Sequence, residues 1–344
     1  MRNLAQNRAK KNWNFEYHIC TQIEISKAGQ ILLNAKRSTA GFCKIQLVFV
    51  ELSGGLGNQI FLFETAKFLA SIDNRVIFLS TFHIDRTHSK GKSSLQDFVL
   101  PLNTRVVYIN KYISIFLGYL KKYSKFLNRL KQPLILILTE NESKIGREFI
   151  TNLIKRKNPK IIWLVDFWQN FDYWNDDTSY ELQRESVMYK QLSQKMARIN
   201  PIVIHYRLGW LGDHWEHSWG ALSPVYIEET LKNARQNSKG DKLSIWVFSN
   251  DYAHSRKLIE NHKFDSDYCF EFINDEEMLP AEVFKLFSES LIFVCSNSTF
   301  SLAAAKLGKV PKVYVPSELS WRGAINVNIP KYWKKVESRW LLEP

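Results

Sequence analysis

Residues Phe49–Ala70 read FVELSGGLGNQIFLFETAKFLA. An apolar run enters a turn holding Gly54, Gly55 and Gly57, and a second apolar run of helical length follows. This is a strand, a glycine turn and a helix. Glycine lets backbone approach a neighbour closely, and the helix start presents N–H groups without intrahelical partners. A phosphate is the ordinary ligand of such a junction. Two phosphate fingerprints nevertheless fail. A dinucleotide fingerprint read from Gly55 has Gly57 in place but meets Ile60 where a third small residue belongs. A Walker loop needs Gly-Lys-Ser/Thr, and the only such tripeptide, Gly91-Lys92-Ser93, has Arg86 in the place of the first glycine. The turn takes its meaning from the rest of the chain.

Outward from this unit, strands and helices alternate. Apolar strand segments are expected at Lys44–Leu52, Val76–Leu79, Val106–Ile109, Leu134–Leu138 and Ile161–Val165. A helical connection, roughly Tyr180–Ile199, leads to a second series at Ile202–His205, Ser244–Phe248, Tyr268–Phe272, Leu291–Cys295 and Lys312–Val315. Helices in this half are expected to start near Ser223-Pro224, Tyr252, Pro280 and Ser298. Two successive βα series predict an α/β protein with two Rossmann-like halves facing a cleft, with ligands at the carboxyl ends of the strands.

The bulk composition agrees. The chain has 344 residues, 45% hydrophobic and 14% aromatic, which is globular and long enough for two domains. Cys20, Cys43, Cys269 and Cys295 are scattered without metal-ligand spacing and read as buried thiols in a reducing compartment. No apolar run reaches the length of a membrane span, and the basic start MRNLAQNRAKKNW leads into no secretory h-region. The net charge of +13 is uneven. Residues 1–50 hold eight Lys/Arg against Glu16 and Glu24, with weak patterning. Residues 1–43 are expected to be a poorly ordered or non-essential extension. A second basic block, 111–131, carries six basic residues and no acid, with apolar residues at helical spacing. It reads either as an amphipathic helix in peripheral contact with an anionic membrane or as an ordinary helix packed on its own sheet. No nucleic-acid reading motif accompanies the positive charge, and no nucleic-acid partner is expected.

Three strand exits in the second half carry unusual polar residues. After IVIHYR, His205 and Arg207 leave the strand, and Asp213, Glu216, His217 and three tryptophans follow in a loop. The planar, permanently charged fork of Arg207 matches paired phosphate oxygens; the alternative is an arginine paired to a carboxylate. His205 is either a ligand contact or a satisfied structural histidine. After IWVFS come Ser249, Asn250 and Asp251, where the acid either accepts from a guanine or ribose or caps the next helix. After LIFVC come Ser296, Asn297, Ser298 and Thr299, then a small-residue helix ending at Gly308. Hydroxyls and first-turn N–H groups there suit an anion, aided by the helix dipole. The Asp-Ser-Asp of residues 265–267 mimics a metal motif and reads as a solvated turn, so no metal site is expected.

In order, SGGLGNQIF, HYRLG with ALSPVYIEETL, FSNDYAHSRKLI and SNSTFSLAAAKLG resemble the α-1,2-fucosyltransferases of glycosyltransferase family 11, over roughly Lys44 to Trp333. The resemblance implies a GT-B enzyme that moves fucose from GDP-β-L-fucose with inversion and needs no cofactor or metal. It implies domains at 44–195 (acceptor side, with the glycine loop) and 196–333 (donor side), with 334–344 a tail. It implies that Arg207 and His205 belong to an H-x-R motif whose arginine holds the donor pyrophosphate. Ser298, Thr299 and Ser301 match its phosphate-side hydroxyl segment, and Gly55, Gly57 and Asn58 its loop over the sugar. Ser249 and Asp251 complete the expected donor contacts, while Asp213 and His217 join Arg207 as candidate catalytic groups, the first two as bases. The sequence departs from the family pattern at Leu208 and Trp210, where a second arginine and an aspartate are usual, and at Leu302 and Ala303, where tryptophans are usual. Those departures keep open a different GDP-deoxysugar or a non-catalytic GDP-sugar binder. The implied partners are a GDP-sugar and a glycan or lipid-linked oligosaccharide, and the implied place is the cytoplasm or the inner membrane face.

Overall fold

The computed structural model describes residues 46–81, 84, 94–107, 122–175, 178–208, 220–235, 242–320 and 327–341. The leading segment 1–43 and residues 111–121 of the basic block lie outside the described residues. Gln46–Pro344 form one compact unit built on two sheets.

The first sheet holds β1 (Leu47–Glu51), β2 (Val76–Ser80), β3 (Thr104–Val107), β4 (Ile135–Leu138) and β5 (Ile161–Leu164), in the order β3-β2-β1-β5-β4. The second holds β6 (Ile202–Tyr206), β7 (Leu243–Ser249), β8 (Tyr268–Phe272), β9 (Ile292–Val294), β10 (Lys312–Pro316) and β11 (Lys334–Val336), in the order β11-β10-β9-β6-β7-β8. Every pairing is parallel. Parallel sheets are covered on both faces, which is why strands such as β6 are buried throughout. Each expected strand is present within a few residues. One was not foreseen. Lys334–Val336, expected as part of a tail, pairs with β10, and the chain beyond it returns Leu341 N–H to Ala221 O.

In each sheet the chain order reverses beside the first strand, between β1 and β5 and between β6 and β9. A crevice opens at such a point because the connecting helices leave to opposite faces.

The two sheets share one hydrophobic core, which runs from Val50 and Leu164 to Phe248, Phe293 and Ala303. Helix Leu56–Asp73 lies inside it, apolar on nearly every side, as a helix buried all round must be. Its first turn meets helix Thr299–Leu307 of the other half. A Cβ placed on Gly57 would stand 2.3 Å from Phe300 N and 2.6 Å from Phe300 Cα, so only glycine permits this approach. Aromatic rings continue the seam from Phe98 to Phe284 (5.8 Å between centroids) and from Phe284 to Phe300 (5.6 Å). The C-terminal segment also crosses back, with Trp333 edge-on to Phe171 and Asn328 Nδ2 donating to Asp172 Oδ1. Of the described thiols, Cys295 is buried as expected, whereas Cys269 is exposed and so departs from that expectation. Among the described residues no helix is long and apolar enough to cross a membrane.

Gly57 has an ordinary helical backbone, so alanine there meets a wall without relieving any strain. Gly57→Ala is expected to lower unfolding stability by about 1–3 kcal/mol in urea titration. Gly55→Ala, with nothing within 4 Å of its new methyl, is expected to cost less than about 1 kcal/mol through the helix cap alone.

Candidate functional site

The second sheet brings its three polar exits together. β9, β6 and β7 are neighbours, so Ser296–Thr299, Arg207 and Ser249–Asp251 leave adjacent strands on the carboxyl edge, at the order reversal. Their ties are direct. Leu208 N–H donates to Asn250 Oδ1 at 3.0 Å, joining the β6 and β7 exits. Ser296 Oγ and His205 Nδ1 lie 3.2 Å apart, joining β9 and β6.

His205 is buried among Phe287 and Phe300, with ring centroids at 5.3 and 5.7 Å. Burial, with the neighbouring Arg207 guanidinium adding to it, pushes its pKa down to about 3. The imidazole is therefore neutral at working pH and its protein partners account for it. Arg207, two residues further on, is partly exposed at the strand exit.

Each of the four polar residues after β9 has a use inside the protein. Besides Ser296, Asn297 Nδ2 donates to Gly220 O at 2.8 Å. Ser298 Oγ caps the helix by accepting from Phe300 N–H. Thr299 Oγ1 donates to Asn58 Oδ1 at 2.9 Å. Ser301 is fully buried and spends its hydroxyl on Ser296 O and Ser298 O. The first-turn backbone N–H groups of a nine-residue helix, rather than a row of hydroxyls, are what this exit offers an anion. Asp251 similarly caps helix Tyr252–Asn261, accepting from His254 N–H at 3.0 Å, and Ser249 Oγ closes a local turn with Asp251.

From the first sheet the glycine turn supplies Asn58. Gly54 has φ +69°, and a Cβ on it would stand 2.5 Å from Asn58 Nδ2. Asn58 Oδ1 accepts from Thr299 Oγ1 and from Gln169 Nε2 at 3.0 Å. Gln169 follows β5, so this one oxygen joins the order reversal of the first sheet to the helix start of the second. The glycines read from sequence thus serve backbone-to-backbone packing (Gly57) and the seating of Asn58 (Gly54); Gly55 caps the helix.

Sequence reasoning missed Gln169, the tie from Asn297 to Gly220 and the bridging role of Asn250. A signal existed for Gln169, its position just past a strand that flanks β1. It also missed Asp275, past β8, whose carboxyl is held above its usual range by burial. Asp213 and His217 lie outside the described residues. Asp265 and Asp267 are both paired to Arg235, the former at 2.7 Å, so this turn is held by an arginine. Among the described residues no cluster of acidic, histidine or cysteine side chains is arranged to hold a metal. A cavity of about 440 Å³ lined by Tyr180, Lys285, Glu289, Leu291, Lys309 and Pro311 lies at the amino ends of β9 and β10, away from the polar exits.

Arabidopsis thaliana FUT1, in a mutant form in complex with GDP, superposes with a TM-score of 0.50 at 13% identity, covering 89% of this chain and 78% of that one. The fold is of the GT-B type. The fucosyltransferase NodZ from Bradyrhizobium gives a TM-score of 0.47 at 12% identity over 78% of this chain and 94% of its own. A glycosyl transferase family 9 protein from Veillonella parvula gives 0.43 at 10% identity over 87% and 88%. No protein-family profile and no curated protein sequence matches the chain.

A histidine whose pKa is about 3 when folded and about 6.5 when unfolded binds its proton only on unfolding. The folded state is therefore fully favoured above the unfolded pKa and loses stability as pH falls through the window between the two values. Thermal unfolding is expected to show a midpoint that drops below about pH 6.5, with a shallower drop in His205→Asn.

Proposed function

We propose that the protein is an inverting glycosyltransferase that moves L-fucose from GDP-β-L-fucose to a hydroxyl of a galactoside-type acceptor, as an α-1,2-fucosyltransferase of surface polysaccharide synthesis. One observation carries this reading. The three polar exits meet on adjacent strands at the order reversal of the second sheet, and a glycine turn from the first sheet is bound to them through Asn58 and Thr299. The sequence resemblance to family 11 supports the choice of donor and linkage.

In this reading the acceptor oxygen attacks the anomeric carbon of fucose as the bond from that carbon to the β-phosphate oxygen breaks. GDP leaves with the electron pair, and the hydroxyl proton passes to a base. Charge grows on the β-phosphate, so the largest demand is for fixed positive potential there. Arg207 and the N–H groups that open helix Thr299–Leu307 supply it, one as a full charge and the other as oriented dipoles. Asn58 directs its amide toward the glycine turn, where the sugar would enter. Neutral His205, paired with Ser296 Oγ, ties the β6 exit to the β9 exit and is no general acid. Asp213 and His217 are the proposed bases. No metal is called for, since the guanidinium and helix dipole answer the same electrostatic need.

Incubation with GDP-fucose and a β-galactoside, read by product mass spectrometry, is expected to give a fucosylated product whose formation survives EDTA. Arg207→Ala is expected to cut kcat by about a hundred-fold or more and to remove the rise in unfolding temperature produced by GDP. Stabilisation by GDP without transfer from any GDP-sugar would instead identify a non-catalytic binder. Transfer of another deoxysugar in preference to fucose would correct the donor.

A further inference from the structure

The edge of the first sheet presents an apolar and basic face that the donor site does not use. Helix Ser124–Arg129 lies along the edge strand β4. Leu127 packs beside Ile137, Trp163 and Val165. Asn128 lends its amide to the open edge, donating to Ile137 O at 2.6 Å and accepting from Ile137 N–H at 3.0 Å. These two residues account for the inward side of the helix and keep the edge from pairing with another strand. The outward side is different. Tyr123 is 58% exposed, Phe126 65%, Leu130 44% and Leu134 66%. Nothing in the fold requires large apolar residues there, and water opposes them.

A second segment adds charge to the same corner. Helix Arg147–Lys157 ends in Lys155, Arg156 and Lys157, and Lys157 Nζ donates to Leu130 O at 2.6 Å. The N–H groups of Lys160 and Ile161 donate to Leu134 O. The exposed apolar residues therefore sit between two basic runs, Lys122, Arg129 and Lys131 on one side and Lys155 to Lys157 on the other. Neither 122–134 nor 149–160 contains an acidic residue. Among the described residues no ion pair involves Lys122, Arg129, Lys131, Lys155 or Arg156.

We propose that this face, Tyr123, Phe126, Leu130 and Leu134 ringed by Lys122, Arg129, Lys131, Lys155 and Arg156, docks on an anionic lipid surface. Aromatic and aliphatic side chains enter the headgroup boundary while lysine and arginine meet lipid phosphates. The aliphatic pair Leu130 and Leu134 distinguishes this surface from a nucleic-acid face, which would use stacking rings and cations alone. The proposal does not depend on the donor assigned above.

Co-sedimentation of the full chain with vesicles decides it. Binding is expected to vesicles of phosphatidylcholine mixed with phosphatidylglycerol, to weaken with added salt, and to be far lower on phosphatidylcholine alone. At about five-fold per cation, the double variant Lys155→Gln, Arg156→Gln is expected to lower the partition coefficient about 25-fold. Phe126→Ser is expected to lower it at least about ten-fold. All three positions are exposed, so unfolding midpoints and GDP-induced stabilisation are expected to stay as in the parent chain. Equal binding to neutral vesicles, unchanged binding by both variants, or salt-sensitive retention by RNA without vesicle binding would each overturn the proposal.

Discussion

The close contact between the first turn of helix Leu56–Asp73 and the start of helix Thr299–Leu307 is the constraint on which the rest of the molecule turns. Backbone meets backbone at Gly57, with Thr299 and Phe300 so near that no side chain fits between. At that distance the neighbouring side chains can exchange a hydrogen bond, and Asn58 Oδ1 receives both Thr299 and Gln169. The glycine turn is thereby fixed relative to the exits of β9 and β6. A side chain at position 57 would separate the helix starts and leave Asn58 and Thr299 without each other. The shared core around Ala303, Phe284 and Phe98 holds the same seam by apolar burial, so the polar contact sets position while the core supplies most of the stability.

The polar side chains at the carboxyl edge are almost all committed to one another or to backbone. This has an electrostatic meaning. Ser298 satisfies one N–H at the helix start, Ser301 ties the turn before it, and Ser296 is hydrogen-bonded to His205. Hydroxyls fixed in this way cannot rearrange, and the dipoles they orient stay aimed at one place. Such preorganised dipoles together with a guanidinium stabilise developing charge without reorganising during a reaction. The neutral state of His205 belongs to the same arrangement, since a second cation buried beside Arg207 would be unfavourable.

Of the four departures from the family 11 pattern, Trp210 lies outside the described residues and the other three are packing positions in three dimensions. Leu208 is 1% exposed and packs with Tyr206, Leu222 and Tyr226, while Leu302 and Ala303 lie in the shared core. These are packing positions, where an apolar residue is what the surroundings demand. They alter the walls behind the site rather than the polar groups in it. Asp265 and Asp267 show the converse. A pattern that mimics metal ligands is accounted for by Arg235.

The fold was written in local terms. Strand length, apolar content, helix caps such as Ser298 and Asp251 and the first-turn Pro224 depend on residues close in sequence, so ten of the eleven strands among the described residues and the four helix starts expected in the second half were legible. β11 was not. Its three residues, Lys334–Val336, carry no apolar run and become a strand only because β10 offers an unpaired edge. The candidate site divides the same way. Arg207, Asp251 and Ser298 were visible as strand exits, whereas Gln169 was not, because its meaning rests on a partner 111 residues away. Sequence likewise showed Gly57 as part of a ligand loop, and only the tertiary structure shows its backbone against Phe300. Local pattern determines which elements form, through periodicity and capping that act within a few residues. Which elements meet, and which atoms are spent in meeting, is decided by packing between segments far apart in the chain.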